Sequence, residues 1–188
     1  MRVFVSGGCK NGKSYYAQHL AKKQQTSGLY YVATMSSVDS EDDARIIRHQ
    51  EERKGWGFVT VEQPTSIERI LESCDPNASF LLDSLTALLS NEMFSSDGSV
   101  DTHAASRIID GVSQVISVVE NIVIVSDYIY SDAMIYDELT ELYRRSLAQI
   151  DRAAAAVCDV VLEVAFTNVA VHRAPQDGRW ELVSKDLL

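Results

Sequence analysis

A doubly wound α/β domain with a mostly parallel sheet is the fold this 188-residue chain predicts, and three observations carry that expectation. Short apolar runs alternate with longer amphipathic stretches in the order strand, helix, strand, helix. Several of the runs, ASFLLD (78–83) and NIVIVS (121–126) among them, are nearly all apolar, as a parallel strand buried on both faces requires. The stretches between them are long enough for right-handed crossover connections. The length, with 46% hydrophobic and 23% charged residues, fits one globular domain over 1–188 that buries roughly 70% of its unfolded surface.

Taken in order, RVFVS (2–6) opens the chain as a strand and leads through a glycine-rich turn into a helix at about 13–25. LYYVAT (29–34) and GFVTVE (57–62) read as strands on either side of a charged helix at about 41–54. A helix at 65–74 precedes the strand ASFLLD, and helices at 84–94, 101–119 and 132–156 surround NIVIVS. The tail contains DVVLEVA (159–165), VAVHR (169–173) and RWELV, with the turn-like APQDGR between the last two. Close-spaced strand patterns of this kind predict an antiparallel edge or hairpin. The prolines at 64, 76 and 175 fall at element boundaries.

The charge balance narrows the function. With 17 Lys and Arg against 27 Asp and Glu, the net charge is −10, which disfavours a protein that coats nucleic acid or anionic membrane. Nucleotide binding stays open, because a local nest of backbone N–H groups holds phosphate whatever the overall charge. No apolar run approaches the roughly 18–20 residues that span a bilayer, and the start, MRVFVSGG, is too short for a signal peptide. Cys9, Cys74 and Cys158 are odd in number and widely spaced, so they read as reduced thiols of a cytoplasmic protein.

Residues 7–14, GGCKNGKS, satisfy G-x-x-x-x-G-K-[ST] between an apolar strand and an amphipathic helix, the context in which that pattern cradles phosphate. Gly7, Gly8 and Gly12 let the backbone turn tightly, so that the N–H groups of Cys9, Lys10, Asn11 and their neighbours can face phosphate oxygens at the helix N-terminus. Lys13 is placed to reach the β- and γ-phosphates, and the Ser14 hydroxyl to ligate Mg2+. The fold expectation thereby sharpens to a RecA-like P-loop NTPase with an antiparallel C-terminal edge. Such a site needs a second acid on the metal side. Asp83, ending ASFLLD, is the first choice, although it could also cap the following helix; Asp127, after NIVIVS, competes with it.

Between the second and third strands, Arg45, His49 and Arg53 follow i, i+4, i+8 spacing and share a helix face with Arg48 nearby. That face is either an anion-binding surface or a solvated one paired with local glutamates. Thr34 lies at the carboxyl end of the second strand, where open α/β sheets meet ligands.

GGCKNGKS, YVAT, D-x-E-x-x-x-R-I-x-x-H-x-x-x-R, T-x-E and LLDSLTALLSN occur in that order over roughly residues 1–95. The series resembles the bifunctional adenosylcobinamide kinase/adenosylcobinamide-phosphate guanylyltransferase family of cobalamin assembly. The resemblance implies an enzyme that phosphorylates the aminopropanol hydroxyl of adenosylcobinamide. It then attaches GMP from GTP through a covalent histidine and releases pyrophosphate. His49 matches the guanylylated histidine; Lys13 and the loop Gly7 to Ser14 match the phosphate loop. Thr34, Arg53, Glu62 and Asp83 match nucleotide-contacting positions. A corrinoid and GTP or ATP are the implied substrates, and a homo-oligomer, a trimer by family, the implied assembly. After the NIVIVS strand the family carries a glycine-rich stretch, where this chain has SDYIYSDAMIYDE (126–138). A kinase for another small molecule, or a nucleotide-binding regulatory ATPase module, are the alternatives.

Other residues attract less. His19 reads as a surface or packing residue, and His103 and His172 lack zinc-ligand spacing. Tyr128, Tyr130, Tyr136 and Tyr143 are suited either to lining a pocket for a large planar ligand or to packing.

Overall fold

The apolar runs form seven strands: β1 (Arg2–Gly7), β2 (Leu29–Ala33), β3 (Val59–Glu62), β4 (Ser79–Asp83), β5 (Asn121–Asp127), β6 (Val160–Ala165) and β7 (Asn168–Arg173). In the computed structural model, which describes residues 1–36, 47, 51, 53–185 and 187, they build one sheet in the order β3-β2-β4-β5-β1-β6-β7. Every neighbouring pair is parallel except β6 and β7, so the mostly parallel sheet with an antiparallel C-terminal edge is as expected.

Strand side chains alternate between faces, and the burial follows that parity. Phe4, Phe80, Leu82, Ile122 and Ile124 point to one face. There they meet α2 (Leu85–Met93), α3 (Ala104–Val118) and α4 (Glu138–Val157), through Leu88, Ile108, Val112, Leu147 and Ile150. Val3, Val5, Leu81, Val123 and Val125 point to the other, against Ala17, Leu20 and Ala21 of α1 (Lys13–Lys23) and Trp180 of α5 (Arg179–Ser184). Both faces of the central strands are therefore covered, which is why their sequences carry almost no polar residues.

Four expectations need correction. RWELV is the short helix α5, not a strand: Gly178 starts it from a left-handed conformation with φ 81, and only Trp180 is buried. The hairpin turn is therefore Phe166–Thr167, between β6 and β7, and not APQDGR. The helix expected at 132–156 begins at Glu138, because Asp137 caps it by accepting from the Leu139 and Thr140 amides. The helix expected at 65–74 is a 3₁₀ segment, Ile67–Glu72. The helix expected at 41–54 lies outside the described residues apart from Ile47, Glu51 and the turn that starts at Arg53.

Candidate functional site

The phosphate loop leaves β1 at the carboxyl edge of the sheet. Gly7 is obligatory there: a Cβ would stand 2.2 Å from the Val164 carbonyl oxygen of β6, closer than atoms can approach. Gly12, at φ 87, is the residue from which α1 starts, in a conformation that glycine adopts without penalty. Lys10 also takes a left-handed conformation, φ 59, while Cys9 is exposed and unpaired as a thiol.

Lys13 is buried to 6% exposure. Its ammonium donates to the Gly8 carbonyl at 2.7 Å and to Asp127 Oδ1 at 2.7 Å. Strand register explains the partner, since Gly7 lies directly opposite Asp127 across the β1–β5 pair. Three elements meet behind that carboxylate. The Asp127 amide donates to the Thr86 hydroxyl of α2 at 2.9 Å, and the Tyr143 hydroxyl of α4 donates to the Thr86 carbonyl at 2.8 Å.

Asp83 ends β4, opposite Val125 of β5, and is thus one strand farther from the loop than Asp127. Its Oδ2 accepts from the Tyr31 hydroxyl at 3.0 Å. The N-cap of α2 is Ser84, whose hydroxyl accepts from the Ala87 amide, so Asp83 is not the cap. Burial first, and the Asp83 carboxylate next, hold the Tyr31 phenol well above its ordinary pKa. The Arg53 guanidinium lies 3.4 Å over the Tyr31 ring, and Arg53 is buried, with Nη1 lacking a hydrogen-bond partner among the described residues. Arg53 and Phe58 also line an open recess with Lys54, Gly55, Gly57 and Thr60. Lys13, Asp127, Asp83, Tyr31 and Arg53 form a polar row along the carboxyl edge of the sheet. Its acids are oxygen donors of the kind Mg2+ takes.

Thr34 is fully buried, and its hydroxyl is spent: it donates to the Ser84 carbonyl at 2.8 Å and accepts from the Ser84 amide at 2.7 Å. The Thr34 carbonyl accepts from Asn91 of α2 at 2.6 Å. Thr34 therefore ties the end of β2 to the β4–α2 junction rather than offering its hydroxyl to a ligand. Glu62 is exposed at the end of β3, opposite Ala33. His49, Arg45 and Arg48 lie outside the described residues. His19 packs between Tyr15, at 4.1 Å, and Trp56, at 4.6 Å. His172 pairs with Glu163 at 2.9 Å. Among the described residues no group of three or more His, Cys, Asp and Glu could hold a metal.

Sequence reasoning missed two residues on the buried stripe of α4. Arg144 organises the segment after β5. Its guanidinium donates to the Ile129 carbonyl at 3.0 Å and to Asp132 at 3.1 Å, pairs with Glu141, and lies 4.4 Å over the Tyr136 ring. Asp151 is buried under the edge at 2% exposure, accepting from the Tyr130 hydroxyl at 3.2 Å. Polar residues recurring with Leu147 and Ile150 on one helix stripe were the available signal. Of the tyrosine cluster, Tyr130, Tyr136 and Tyr143 spend their hydroxyls internally, while Tyr128 is exposed beside the Tyr130 ring.

Burial pushes the Asp151 carboxyl up to about 7, aided by the Asp127 carboxylate and opposed by the Ser126 and Tyr130 hydroxyls. Folded Asp151 therefore keeps a proton that the unfolded chain loses near pH 4, so stability falls as pH rises from about 4 to about 7. Asp151→Asn keeps an acceptor for Tyr130 and cannot ionise. We expect its stability relative to wild type to grow across that interval by on the order of a few kcal/mol and to level off above it. Urea midpoints measured from pH 4 to pH 8 check this, and a difference independent of pH would contradict it.

Comparisons with known proteins bear on the family and the fold. The family model for cobinamide kinase / cobinamide phosphate guanyltransferase matches residues 3–170. The bifunctional adenosylcobalamin biosynthesis protein CobU of Escherichia coli (strain K12) is 32% identical over 103 residues, 54% of this chain and 55% of that protein. CobP of Pseudomonas aeruginosa, of the same description, is 34% identical over 100 residues, 52% of this chain and 56% of that protein. The chain thus spans little more than half the length of these two relatives. CobU of Salmonella typhimurium is 25% identical over 172 residues, covering 86% of this chain and 93% of that one. A KaiC-like protein from Pyrococcus horikoshii OT3 shares the fold alone, with a TM-score of 0.51, 11% identity, and coverage of 93% of this chain and 79% of that one. With the family model matched from the first strand to the C-terminal hairpin, around a phosphate loop whose lysine is held at the sheet edge, the chain belongs to the cobinamide kinase / cobinamide phosphate guanyltransferase family.

Proposed function

We propose that this chain phosphorylates the aminopropanol hydroxyl of adenosylcobinamide and then transfers GMP from GTP to that phosphate through guanylyl-His49, releasing pyrophosphate. The observation that carries the reading is the phosphate loop of a family member with Lys13 poised at its mouth. Gly7 to Ser14 hold the triphosphate, and Lys13 exchanges Asp127 and the Gly8 carbonyl for phosphate oxygens as the nucleotide enters. Ser14 and Asp83 hold Mg2+, which supplies Lewis-acid neutralisation of the phosphate charge. Arg53, whose guanidinium stacks on Tyr31, and Glu62 are nucleotide contacts on the strength of the family resemblance. Guanylyl transfer needs a neutral imidazole at His49; phosphorylation needs only the loop, the cation and a positioned hydroxyl.

The deciding experiment supplies α-labelled GTP. Acid-labile, covalently retained label on the protein supports the histidine route, and a chain that phosphorylates cobinamide without ever labelling is a kinase only. A chain that phosphorylates no cobinamide but another small alcohol contradicts the corrinoid reading.

The metal side is separable. Asp83→Asn is expected to cut turnover about a hundredfold while leaving metal-free nucleotide binding nearly unchanged. Titrating Mg2+ into turnover assays of Asp83→Asn and Asp127→Asn checks the choice. Asp127→Asn alone giving that pattern would move the acid to β5.

A further inference from the structure

Phe166 and Thr167 join β6 to β7 as a two-residue loop, with Ala165 facing Asn168. Both adopt left-handed backbone, φ 52 and φ 63. Hairpin loops with two positive φ angles favour Asn-Gly or Asp-Gly, and a β-branched residue such as threonine is a clear outlier there. Conformations of this kind persist where the surroundings hold them, and they gather at ligand sites.

The surroundings here are the phosphate loop. The Tyr16 hydroxyl of α1 donates to the Thr167 carbonyl at 2.6 Å. Thr167 Oγ1 and Asn168 Nδ2 both donate to the Phe166 carbonyl, at 2.6 and 3.0 Å. The Thr167 methyl lies 4.0 Å from where a Cβ on Gly12 would be. The tip is thus clamped against the start of α1, beside Lys13. The clamp fixes the backbone of the tip, while Phe166 itself is 85% exposed.

With the β- and γ-phosphates against Lys13 and the α-phosphate toward the N-terminus of α1, the ribose and base can leave beside the first turn of α1. That turn is flanked by Tyr15, Tyr16 and the hairpin tip. Tyr15 already packs on His19 and on the edge of Tyr16, whereas Phe166 has no ring partner among the described residues. We propose that Phe166 is the nucleobase platform of this site, its ring stacking on the purine of a nucleotide held by residues 7–14. The assignment rests on the nucleotide reading above and deepens it. A stacking ring reads no hydrogen-bond pattern, because every base presents a π-face, so the platform takes adenine and guanine alike.

Phe166→Asn tests this, because it removes the ring and suits the backbone. Its thermal midpoint should rise by about 2–4 °C. Its affinity for ATP and GTP, measured by calorimetry, should fall about tenfold or more. Its affinity for inorganic tripolyphosphate, which has no base to stack, should stay at the wild-type value, and Phe166→Trp should keep nucleotide affinity. Unchanged ATP and GTP affinity in Phe166→Asn overturns the platform, whether or not the oligomeric state shifts, and so does an equal loss of tripolyphosphate. A wild type that binds tripolyphosphate but gains nothing from the base also overturns the platform while sparing the phosphate loop. A wild type that binds none of the three ligands overturns both.

Discussion

Lys13→Ala is expected to lower turnover by at least about a thousandfold and to remove measurable triphosphate binding, with the fold preserved. Among the described residues the ammonium reaches only the Gly8 carbonyl and Asp127, not the apolar core. Its loss strands the Asp127 carboxylate, but that side chain is 28% exposed and water can take up part of the vacated bond. A destabilisation of about 1 kcal/mol is therefore expected beside the much larger loss of activity. Calorimetric titration with ATP and GTP, paired with thermal unfolding, checks both parts. Wild-type affinity in a folded Lys13→Ala protein would remove the phosphate loop from the mechanism.

His49→Asn should split the two half-reactions. An imidazole with an ordinary pKa near 6.5 is roughly three quarters neutral at pH 7 and so able to attack phosphorus. Asparagine offers no such lone pair. Guanylyl transfer and covalent labelling from α-labelled GTP are expected to disappear, while phosphorylation of cobinamide continues at a substantial fraction of the wild-type rate. Measuring both activities on the same preparation checks the split. Label retained by His49→Asn would exclude this histidine as the nucleophile.

The legible parts of the molecule were those whose chemistry is local. The phosphate loop reads directly from sequence because strand, glycines and helix follow one another without interruption. The central strands read well because burial on both faces leaves them almost no polar residues. RWELV misled because five residues of mixed aromatic and branched composition fit either period, and the deciding feature, left-handed Gly178, is a backbone conformation. Residues 132–137 looked helical because their restraint comes from Arg144, nearly two turns into the next helix. The grip of Asp127 on Lys13 depends on a strand register that brings together residues far apart in the chain. Thr34 matched a nucleotide-contacting position in sequence, yet its hydroxyl is used by a partner 50 residues away.

The Lys13–Asp127 contact also sets the ammonium of the loop against a carboxylate at 2.7 Å, so that these two charges largely cancel. An approaching triphosphate therefore meets a closed pair on a chain of net charge −10, with little long-range pull toward it. Once Lys13 turns to phosphate, the Asp127 anion is left beside another anion. That imbalance has to be met by a cation or a proton arriving with the ligand. Nucleotide uptake and cation uptake are then two halves of one equilibrium, each strengthening the other by the same factor.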